Sequence, residues 1–227
     1  SRILLLINGH RVNDNIFGQA EIGAEFGLDP AFFLRVEIIR GPASSLYGDS
    51  AFFAVVNVIT RSGAALGGSS VTVENGTLGT RLVRSSTGQR FSNGLDMALS
   101  ATYEHSDGET RLFFPVFNTP LTNHGIAENL DAEGTKQLYG RFNARGLTVT
   151  TMFGTRRRVV PTASTGTMFN QQTWPEQTTD RHGLVDADYG RSFGDTRLTV
   201  RASYDRFSYS GTFPLAVEGD GTPTAVA

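Results

Sequence analysis

The chain has 227 residues, a formal net charge of -2 and no cysteine. Near neutrality gives no electrostatic reason to expect a nucleic-acid partner, and a chain without cysteine has no disulfide framework, thiolate metal site or cysteine nucleophile. The longest aliphatic run, Ile3–Ile7, is far too short for a transmembrane helix. A membrane β-barrel stays compatible with this composition, because its polar inward-facing residues lower its mean hydropathy.

Residues 1–63 predict a small unit of mixed α and β structure. Ile3–Ile7 is a candidate buried strand, and the Asn8-Gly9 pair after it is the strongest short signal for a hairpin turn. The further elements are, in chain order, a helix start at Asp29-Pro30, a strand over 36–40 that ends at Gly41-Pro42, one helical turn over 44–48 and a β-branched strand over 55–60. The Gly/Ala-rich residues 64–68 then read as a flexible linker.

From residue 69 onward, apolar and polar residues alternate with a period of two. In residues 95–104, for example, Leu99 and Tyr103 share one face while Ser100 and Glu104 share the other. A segment of about ten residues is long enough to cross a bilayer as a tilted strand. The strands predicted in this way cover residues 69–75, 80–89, 95–104, 137–144, 147–154, 185–190 and 197–205.

The connections between these strands alternate in length. Short turns separate some neighbours, whereas long links cover residues 106–134 and 158–179. Short turns on one side and long loops on the other are typical of an outer-membrane barrel. A soluble β-sandwich also has alternating strands. The pattern alone therefore leaves a membrane barrel and a β-sandwich open as alternatives.

A longer signature decides between them. Residues 36–48 read VEIIRGPASSLYG, and related stretches lie upstream at residues 4–13 and downstream at residues 51 and 55–60. Together they resemble the plug-domain signature of TonB-dependent outer-membrane receptors, in the order and spacing of that family. The residues that carry the resemblance are Arg40, Gly41, Pro42, Leu46, Tyr47, Gly48 and Asn57.

One position departs from the family pattern. The family usually carries Gly-Gly just before the strand at residues 55–60, where this chain has Phe53-Ala54. A backbone position that needs a positive φ would tolerate Phe53 poorly. We therefore expect either that the local bend differs from that of the family, or that the chain belongs to a subgroup that fills this site with a side chain.

The resemblance implies an α+β plug followed by an all-β region that forms part of a transmembrane antiparallel barrel. Residues 1–63 would be the C-terminal part of the plug, residues 64–68 the linker, and residues 69–227 the first part of the barrel, with extracellular loops over 106–134 and 158–179. The family barrel has about 22 strands, and the sequence predicts about seven of them. We therefore expect a fragment that lacks a signal peptide and the segment that contacts TonB.

The resemblance also implies a function without covalent chemistry or a cofactor. Receptors of this family lie in the outer membrane of Gram-negative bacteria and import scarce, bulky nutrients such as ferric siderophores, haem or cobalamin. The expected partners are TonB, outer-membrane lipid or lipopolysaccharide, and a small ligand such as a metal chelate. The alternatives are a passive, porin-like channel and a soluble carbohydrate-binding or adhesin β-sandwich.

The resemblance assigns one residue a mechanical role. Plug arginines in this signature pair with glutamates of the barrel wall, so we expect Arg40 to act as a latch, with Glu37 helping to orient it. The alternative is a solvated charge at a strand end. A buried ion pair suits such a latch, because breaking it from one side costs about 3–5 kcal/mol.

Aromatic side chains in the two long loops are candidate ligand contacts, since they favour bulky or planar ligands. They are Phe113, Phe114, Phe117, Phe169 and Trp174. The same residues are equally compatible with a hydrophobic cluster within the loops or with an interfacial belt.

The remaining charged residues suggest no further site. The four histidines share no ligand spacing and are expected at the surface, with no metal site among them. The pair Asp186 and Asp188 is expected to be solvated in the barrel lumen rather than catalytic. The run of Arg156, Arg157 and Arg158 reads as a polar strand end, or as a site for an anionic ligand or a lipopolysaccharide phosphate.

Overall fold

The computed structural model describes residues 2–216 and 223–226, and gives the backbone alone for Ala216 and the last four. The end of the predicted barrel region, residues 217–222 and 227, lies outside the described residues. Two units follow one another along the chain. The first, residues 2–60, is called the N-terminal unit below.

A four-stranded sheet forms the centre of the N-terminal unit, with strand order β2-β1-β4-β3. Strand β1 runs parallel to β4, and β3 runs antiparallel to it. The elements are β1 Ile3–Ile7, β2 His10–Arg11, two 3₁₀ turns at Ala24–Phe26 and Pro30–Phe32, β3 Phe33–Arg40, α1 Ser44–Tyr47 and β4 Ala54–Thr60.

The local signals in this unit behave as the sequence predicts. Asn8 and Gly9 both have positive φ, 49° and 76°, and close the hairpin between β1 and β2. The Asp29 carboxylate accepts a hydrogen bond from the Ala31 backbone N–H at 2.8 Å, which caps the turn that begins at Pro30. Phe53 is absent from the residues with positive φ, so the chain passes this point without needing the glycine that the family carries there.

The predicted flexible linker is instead an ordered turn. Residues Gly63–Leu66 form helix α2, capped by the side chain of Ser62. Asp96 accepts hydrogen bonds from the Gly63 and Ala64 backbone N–H groups at 2.6 and 2.9 Å. A Cβ at Gly63 would lie 2.1 Å from the Met97 carbonyl oxygen, so the helix is packed directly against the next sheet. The segment still connects the two units, as a fixed element.

The second unit is one antiparallel sheet, called the wall sheet below. Its strand order is β14-β13-β12-β11-β10-β7-β6-β5, so each long strand pairs with its neighbour along the chain, and it does not close on itself. A separate small hairpin, β8–β9, lies in the long loop after β7. The strands are β5 Gly68–Asn75, β6 Arg81–Arg90, β7 Asp96–Ser106, β8 Arg111–Phe113, β9 Ile126–Glu128, β10 Glu133–Ala144, β11 Leu147–Val159, β12 Gln177–Phe193, β13 Thr196–Ala216 and β14 Pro223–Val226.

The two faces of the wall sheet have different surroundings. The face that carries Leu138 and Phe153 is exposed, with these side chains 54% and 44% accessible. The opposite face carries Tyr139 and Met152, which are buried against the N-terminal unit in a core shared with Ile7. These are called the outer face and the inner face below. An unclosed antiparallel sheet with a domain on its inner face is the architecture of a partial, plugged barrel.

Candidate functional site

The site with the most chemistry is the contact between the N-terminal unit and the inner face of the wall sheet. Apolar packing supplies its centre: Phe32 stacks on Tyr139 with ring centroids 6.2 Å apart. Three groups of buried charges and one group of hydroxyls surround that centre. Each group joins residues that are far apart in the sequence.

The first group is centred on Asp29, which is 4% exposed. Arg84 on β6 donates two hydrogen bonds to its carboxylate, from Nε at 2.5 Å and from a terminal nitrogen at 3.0 Å. Thr102 on β7 donates a third at 2.8 Å. Burial raises the pKa of Asp29, but the hydrogen bonds from Arg84, Ala31 and Thr102 outweigh it, and the net pKa lies below the ordinary value. The carboxylate therefore stays ionised while it joins the turn to two wall strands.

The second group is centred on Arg156 of β11, which is 8% exposed. Its guanidinium lies 2.5 Å from Glu25 of the N-terminal unit and 2.5 Å from Glu133 of β10, with Asp180 of β12 at 3.9 Å. One buried cation thus binds carboxylates from both units. Leaving such a charge unpaired is costly, so this group resists separation of the two units.

The backbones also approach each other closely beside Arg156. A Cβ built on Gly154 would lie 2.5 Å from the Cα of Gly27, closer than real Cβ atoms come to other atoms. Gly27 itself has a φ of 76°, which favours glycine. The two glycines therefore let the turn at Ala24–Phe26 sit directly on β11.

The third group lies at β12 and β13. Arg201 binds Asp186 through two hydrogen bonds of 2.8 and 2.9 Å, and it also donates to the Asn8 carbonyl at 3.3 Å. His10 of β2 lies between two wall carboxylates, 3.6 Å from Asp186 and 3.6 Å from Asp205. The hairpin of β1 and β2 is therefore held over a pocket of paired charges.

Hydroxyl groups form the fourth contact. Tyr139 donates a hydrogen bond of 2.6 Å to the Thr60 hydroxyl, which also accepts from the Asn8 side chain at 2.9 Å. Arg141 reaches the Thr60 carbonyl at 3.4 Å. These bonds join the end of β4 to β10, next to the start of the linker.

One loop of the N-terminal unit carries exposed apolar side chains. Asp14 organises it by accepting hydrogen bonds from the backbone N–H groups of Ile16, Phe17 and Gln19 at 2.9, 2.5 and 2.6 Å. Although burial raises the pKa of Asp14, these bonds lower it below the ordinary value. Ile16, Phe17 and Ile22 are 55%, 71% and 69% exposed. Residues 14–23, called the apex loop below, thus present apolar side chains from a fixed base.

Glu21 stands at the foot of the apex loop. Burial raises its pKa to about 7, and the negative charge of Asp180 adds to the effect, while His182 opposes it. This carboxyl therefore changes its protonation near neutral pH, beside the Arg156 group.

The predicted latch residues lie on β3. The Arg40 side chain is exposed and has no hydrogen bond or ion pair within the described part of the chain. The Glu37 carboxylate binds Arg35 at 2.7 Å and Asn57 at 3.2 Å, and not Arg40, because alternation along the strand puts residues 37 and 40 on opposite faces.

The other signature residues have structural positions. Gly41 and Gly48 adopt φ values of 95° and 80°, which side-chain-bearing residues rarely adopt. Leu46 is 84% exposed. The Asn57 side chain accepts a hydrogen bond from the Gly9 backbone at 3.0 Å and so supports the first hairpin. Pro42 and Tyr47 lie between the two glycines, in the passage from β3 through α1.

The loop aromatics divide into two sets. Phe169 stacks on Phe117 at 4.3 Å and meets Phe114 edge-on at 5.9 Å, so these three rings join the two long loops to each other. Phe113 and Trp174 are 59% and 48% exposed. The first set favours the reading as a loop cluster, whereas the second set remains accessible to a ligand.

Four expectations for charged residues were wrong. Arg156, Asp186, His10 and His182 are buried between the two units or at the edge of their contact, not solvated. His182 lies 3.0 Å from Asp205. The sequence does carry one signal for them, because all three wall residues fall on the polar face of an alternating strand. The position of the N-terminal unit decides which of these polar side chains are buried. Strand alternation does not predict that position.

Among the described residues, no group of three or more His, Cys, Asp or Glu side chains is arranged to hold a metal ion. No helix in the described ranges is long and apolar enough to cross a membrane.

Comparisons with known proteins agree with this architecture. Residues 1–55 match the family model described as TonB-dependent Receptor Plug Domain. The vitamin B12 transporter BtuB of Vibrio vulnificus (strain CMCP6) is 34% identical over 109 residues, which is 48% of this chain and 17% of that protein. The crystal structure of the siderophore receptor PiuA from Acinetobacter baumannii superposes with a TM-score of 0.56 at 12% identity, covering 93% of this chain and 30% of PiuA.

These comparisons agree with the fold of both units. The match to the plug model falls on the N-terminal unit, and the likeness to PiuA shows the same fold across the wall sheet. The chain spans less than a third of the length of either relative. Residues 1–55 of the N-terminal unit are therefore similar to the plug domain of TonB-dependent receptors.

Proposed function

We propose that this chain is part of an outer-membrane receptor that imports a scarce, bulky nutrient, driven by TonB and the proton-motive force. The observation that carries the proposal is the plug, defined as the N-terminal unit, held on the inner face of the wall sheet by the ion pairs Arg84–Asp29 and Arg156–Glu25. A passive channel has no need of a domain that fills its lumen. An energised receptor needs one that stays in place at rest and moves under force.

The substrate class follows from the relatives by analogy. BtuB is named a vitamin B12 transporter and PiuA a siderophore receptor. We propose a ligand of that kind, a cobalamin or a ferric chelate. The apex loop, with Ile16 and Phe17, and the exposed loop aromatics Phe113 and Trp174 would supply apolar contacts to it.

Two further partners belong to the proposal. TonB would bind through a segment outside this chain, and the outer face of the wall sheet would contact outer-membrane lipid, including lipopolysaccharide. The apolar outer-face residues, such as Leu138 and Phe153, support lipid contact.

Arg40 is proposed as a further plug latch. By the register with β4, Arg40 shares a sheet face with Val36 and Ile38, opposite Ala54. Its side chain is free in the described residues and so is available to a wall carboxylate elsewhere in the barrel. In the full-length receptor, Arg40→Ala should loosen the plug and reduce uptake. Arg35→Ala, on the same strand and paired only with Glu37, is the matched control. Unchanged plug retention and uptake in Arg40→Ala would contradict the latch.

The function is tested by uptake in cells. The full-length receptor should be expressed in a strain that lacks its own outer-membrane receptors, and uptake of labelled cobalamin and of a panel of ferric siderophores measured. We expect uptake of one of these that is lost on deletion of TonB or on addition of a protonophore. Uptake that persists without TonB would instead indicate a passive channel.

A further inference from the structure

A histidine of the plug lies between two carboxylates of the wall sheet. His10 belongs to the short strand β2, and its ring extends toward β12 and β13. Its Nδ1 atom is 3.6 Å from Asp186 of β12, and its Nε2 atom is 3.6 Å from Asp205 of β13. The side chain is only 13% exposed. Each ring nitrogen therefore faces one carboxylate of the other unit, largely shielded from solvent.

Only one charge state of the His10 ring matches both of these neighbours. A neutral imidazole has one N–H group and one nitrogen that only accepts. It can therefore donate to one carboxylate, while it turns a lone pair toward the acceptor oxygens of the other. The protonated ring has two N–H groups and can donate to both carboxylates. The arrangement with Asp186 and Asp205 thus suits the charged form of His10.

The ring is also incompletely hydrogen-bonded as it stands. A distance of 3.6 Å is longer than a hydrogen bond, which spans about 2.7–3.2 Å. Within the described part of the chain, Nε2 of His10 is the one buried side-chain nitrogen or oxygen without a hydrogen-bond partner. Buried polar groups nearly always have a partner, because leaving them without one is costly. Protonation and a small approach of the two carboxylates would remove this cost.

Each of the two carboxylates already has a partner within the wall. His182 of β12 lies 3.0 Å from Asp205. Arg201 of β13 binds Asp186 through two hydrogen bonds of 2.8 and 2.9 Å. The wall therefore supplies its own basic groups to these acids, and His10 is a plug residue that joins the two pairs to each other.

The remaining charged groups near the ring leave it the two carboxylates as partners. Asp188 is the next acid along the inner face of β12, and it lies beside Arg201. On β11, the inner-face residue next to Asp186 is the neutral Thr150. On the hairpin of His10 itself, Arg11 binds Asp49 at 2.5 Å. In the described residues, the charges that face the ring directly are thus both negative.

We propose that His10 is a protonation-dependent connector between the plug and the wall. Protonated His10 binds Asp186 and Asp205 together and holds the β1–β2 hairpin against β12 and β13. Neutral His10 loses at least one of these contacts, so the hairpin is held less firmly. Because an imidazole changes its charge between about pH 5 and pH 8, the attachment weakens as the pH rises through this range.

The inference goes beyond the proposed function, since it concerns the contact between the two units and no cargo. Its consequence for import rests on the proposed function: a plug that moves under force would be displaced more easily at pH 8 than at pH 5. Glu21 gives a pH dependence of the same direction, but in the apex loop, beside Asp180 and His182. The test therefore has to separate His10 from Glu21.

The test measures hydrogen exchange of residues 3–11 in the full-length receptor in detergent, at pH 5 and at pH 8, corrected for the intrinsic rate. The parent receptor carries Glu21→Gln, so that Glu21 does not titrate. In this parent, His10→Gln keeps a hydrogen-bonding side chain that cannot gain a charge. His105→Gln is the matched control, because His105 also has a carboxylate partner, Asp107 at 3.2 Å, but lies on the outer face of the wall sheet.

We expect residues 3–11 of the parent to exchange about tenfold more slowly at pH 5 than at pH 8, because hydrogen bonds of charged groups stabilise more than neutral ones. His10→Gln should exchange at both pH values as fast as the parent does at pH 8. His105→Gln should behave like the parent. A pH difference that persists in His10→Gln would overturn the proposal.

The parent receptor alone can also overturn the proposal, since equal exchange of residues 3–11 at both pH values would contradict it without any change at His10. Heat resistance of the barrel in gels shows whether His10→Gln is folded. If it is not, Asp205→Asn replaces it, with a reduced pH difference expected and an unchanged one contradicting the proposal.

Uptake of the nutrient tests the proposed function separately. A receptor that imports its ligand but shows no pH dependence in residues 3–11 contradicts only this inference. A receptor that shows the pH dependence but imports nothing contradicts only the proposed function.

Discussion

Arg156 joins carboxylates from the plug and from the wall, so its removal should weaken the contact between them. In Arg156→Ala, Glu25 and Glu133 would lose their buried cation. We expect the plug to lose about 3 kcal/mol of local stability, because one side of a buried ion pair is removed. Hydrogen exchange of residues 24–32 in the full-length receptor would show this as faster exchange. Arg157→Ala is the control, since Arg157 is exposed and binds only Gln177. Equal exchange in both variants would contradict the role of Arg156.

Glu21 gives the plug a pH dependence. Its pKa is raised from 4.5 to about 7 in the folded protein, so the folded state holds more protons than the unfolded state between these values. Stability of the plug should therefore fall as the pH rises from about 4.5 to about 7. Exchange of residues 14–32 should be slower at pH 5 than at pH 8, after correction for the intrinsic rate. Glu21→Gln should remove most of this difference. A slope unchanged in Glu21→Gln would assign it to another group.

The sequence predicts roles that depend on neighbouring residues. It does not predict roles that depend on a partner far away in the chain. Asp29 was predicted as a helix cap and is one, because capping depends on the next three residues. Its second role, binding Arg84 on β6, depends on a contact across 55 positions of the chain. Arg156 and Arg157 are neighbours in one basic run, yet only the first is buried. Strand alternation separates them, but only the docked plug decides which face is covered.

At the scale of elements, the turn at Ala24–Phe26 and strand β11 meet through glycine. A methyl group at Gly154 has no room against Gly27, so Gly154→Ala should displace the plug at a cost of about 1–3 kcal/mol. Gly183→Ala on the adjacent strand is the control, because its nearest new contact is Phe153 at 3.9 Å. Protease cleavage within residues 14–32 of the folded receptor would detect the difference. Cleavage that is equal in the two variants would mean that the turn adjusts without cost.

The elements themselves were largely predictable. β-branched and alternating residues identify β4 and the wall strands, since these signals are local. Helix α2 was read as flexible because glycines lie at both of its ends, Gly63 at one end and Gly67 and Gly68 just beyond the other. What orders it is Asp96, which accepts from its first two N–H groups, and the close packing of Gly63 on β7. Both depend on a strand that comes some thirty residues later.

For the molecule as a whole, the wall sheet ends in two edges. β5 has one paired neighbour, and β13 is paired by the short β14 only over Phe213 to Ala216. Unpaired strand edges bind other strands. The 227-residue chain, expressed alone in detergent, should therefore elute in size exclusion as oligomers, whereas the full-length receptor should elute as a monomer. A monomeric, protease-resistant isolated chain would contradict this expectation.

The overall architecture was recognised from the sequence because the plug signature and the strand alternation are separate signals that agree. Alternation alone left a sandwich open, since both architectures have one covered face. The docking of the plug could not be read from either signal. It depends on shape at Gly27 and Gly154 and on charges such as Arg84 and Arg201 that find partners in the other unit.

The carboxylates of β12 all share the inner face with Leu184, and this placement bears on how such a wall is assembled. A register slip of one residue exchanges the two faces of a strand. In β12, such a slip would turn Asp180, Asp186 and Asp188 to the outer face at once. If that face lies in lipid, as the proposed function requires, the bilayer would disfavour misregistered hairpins before any plug has docked. The carboxylates on the inner face would then favour the correct strand pairing.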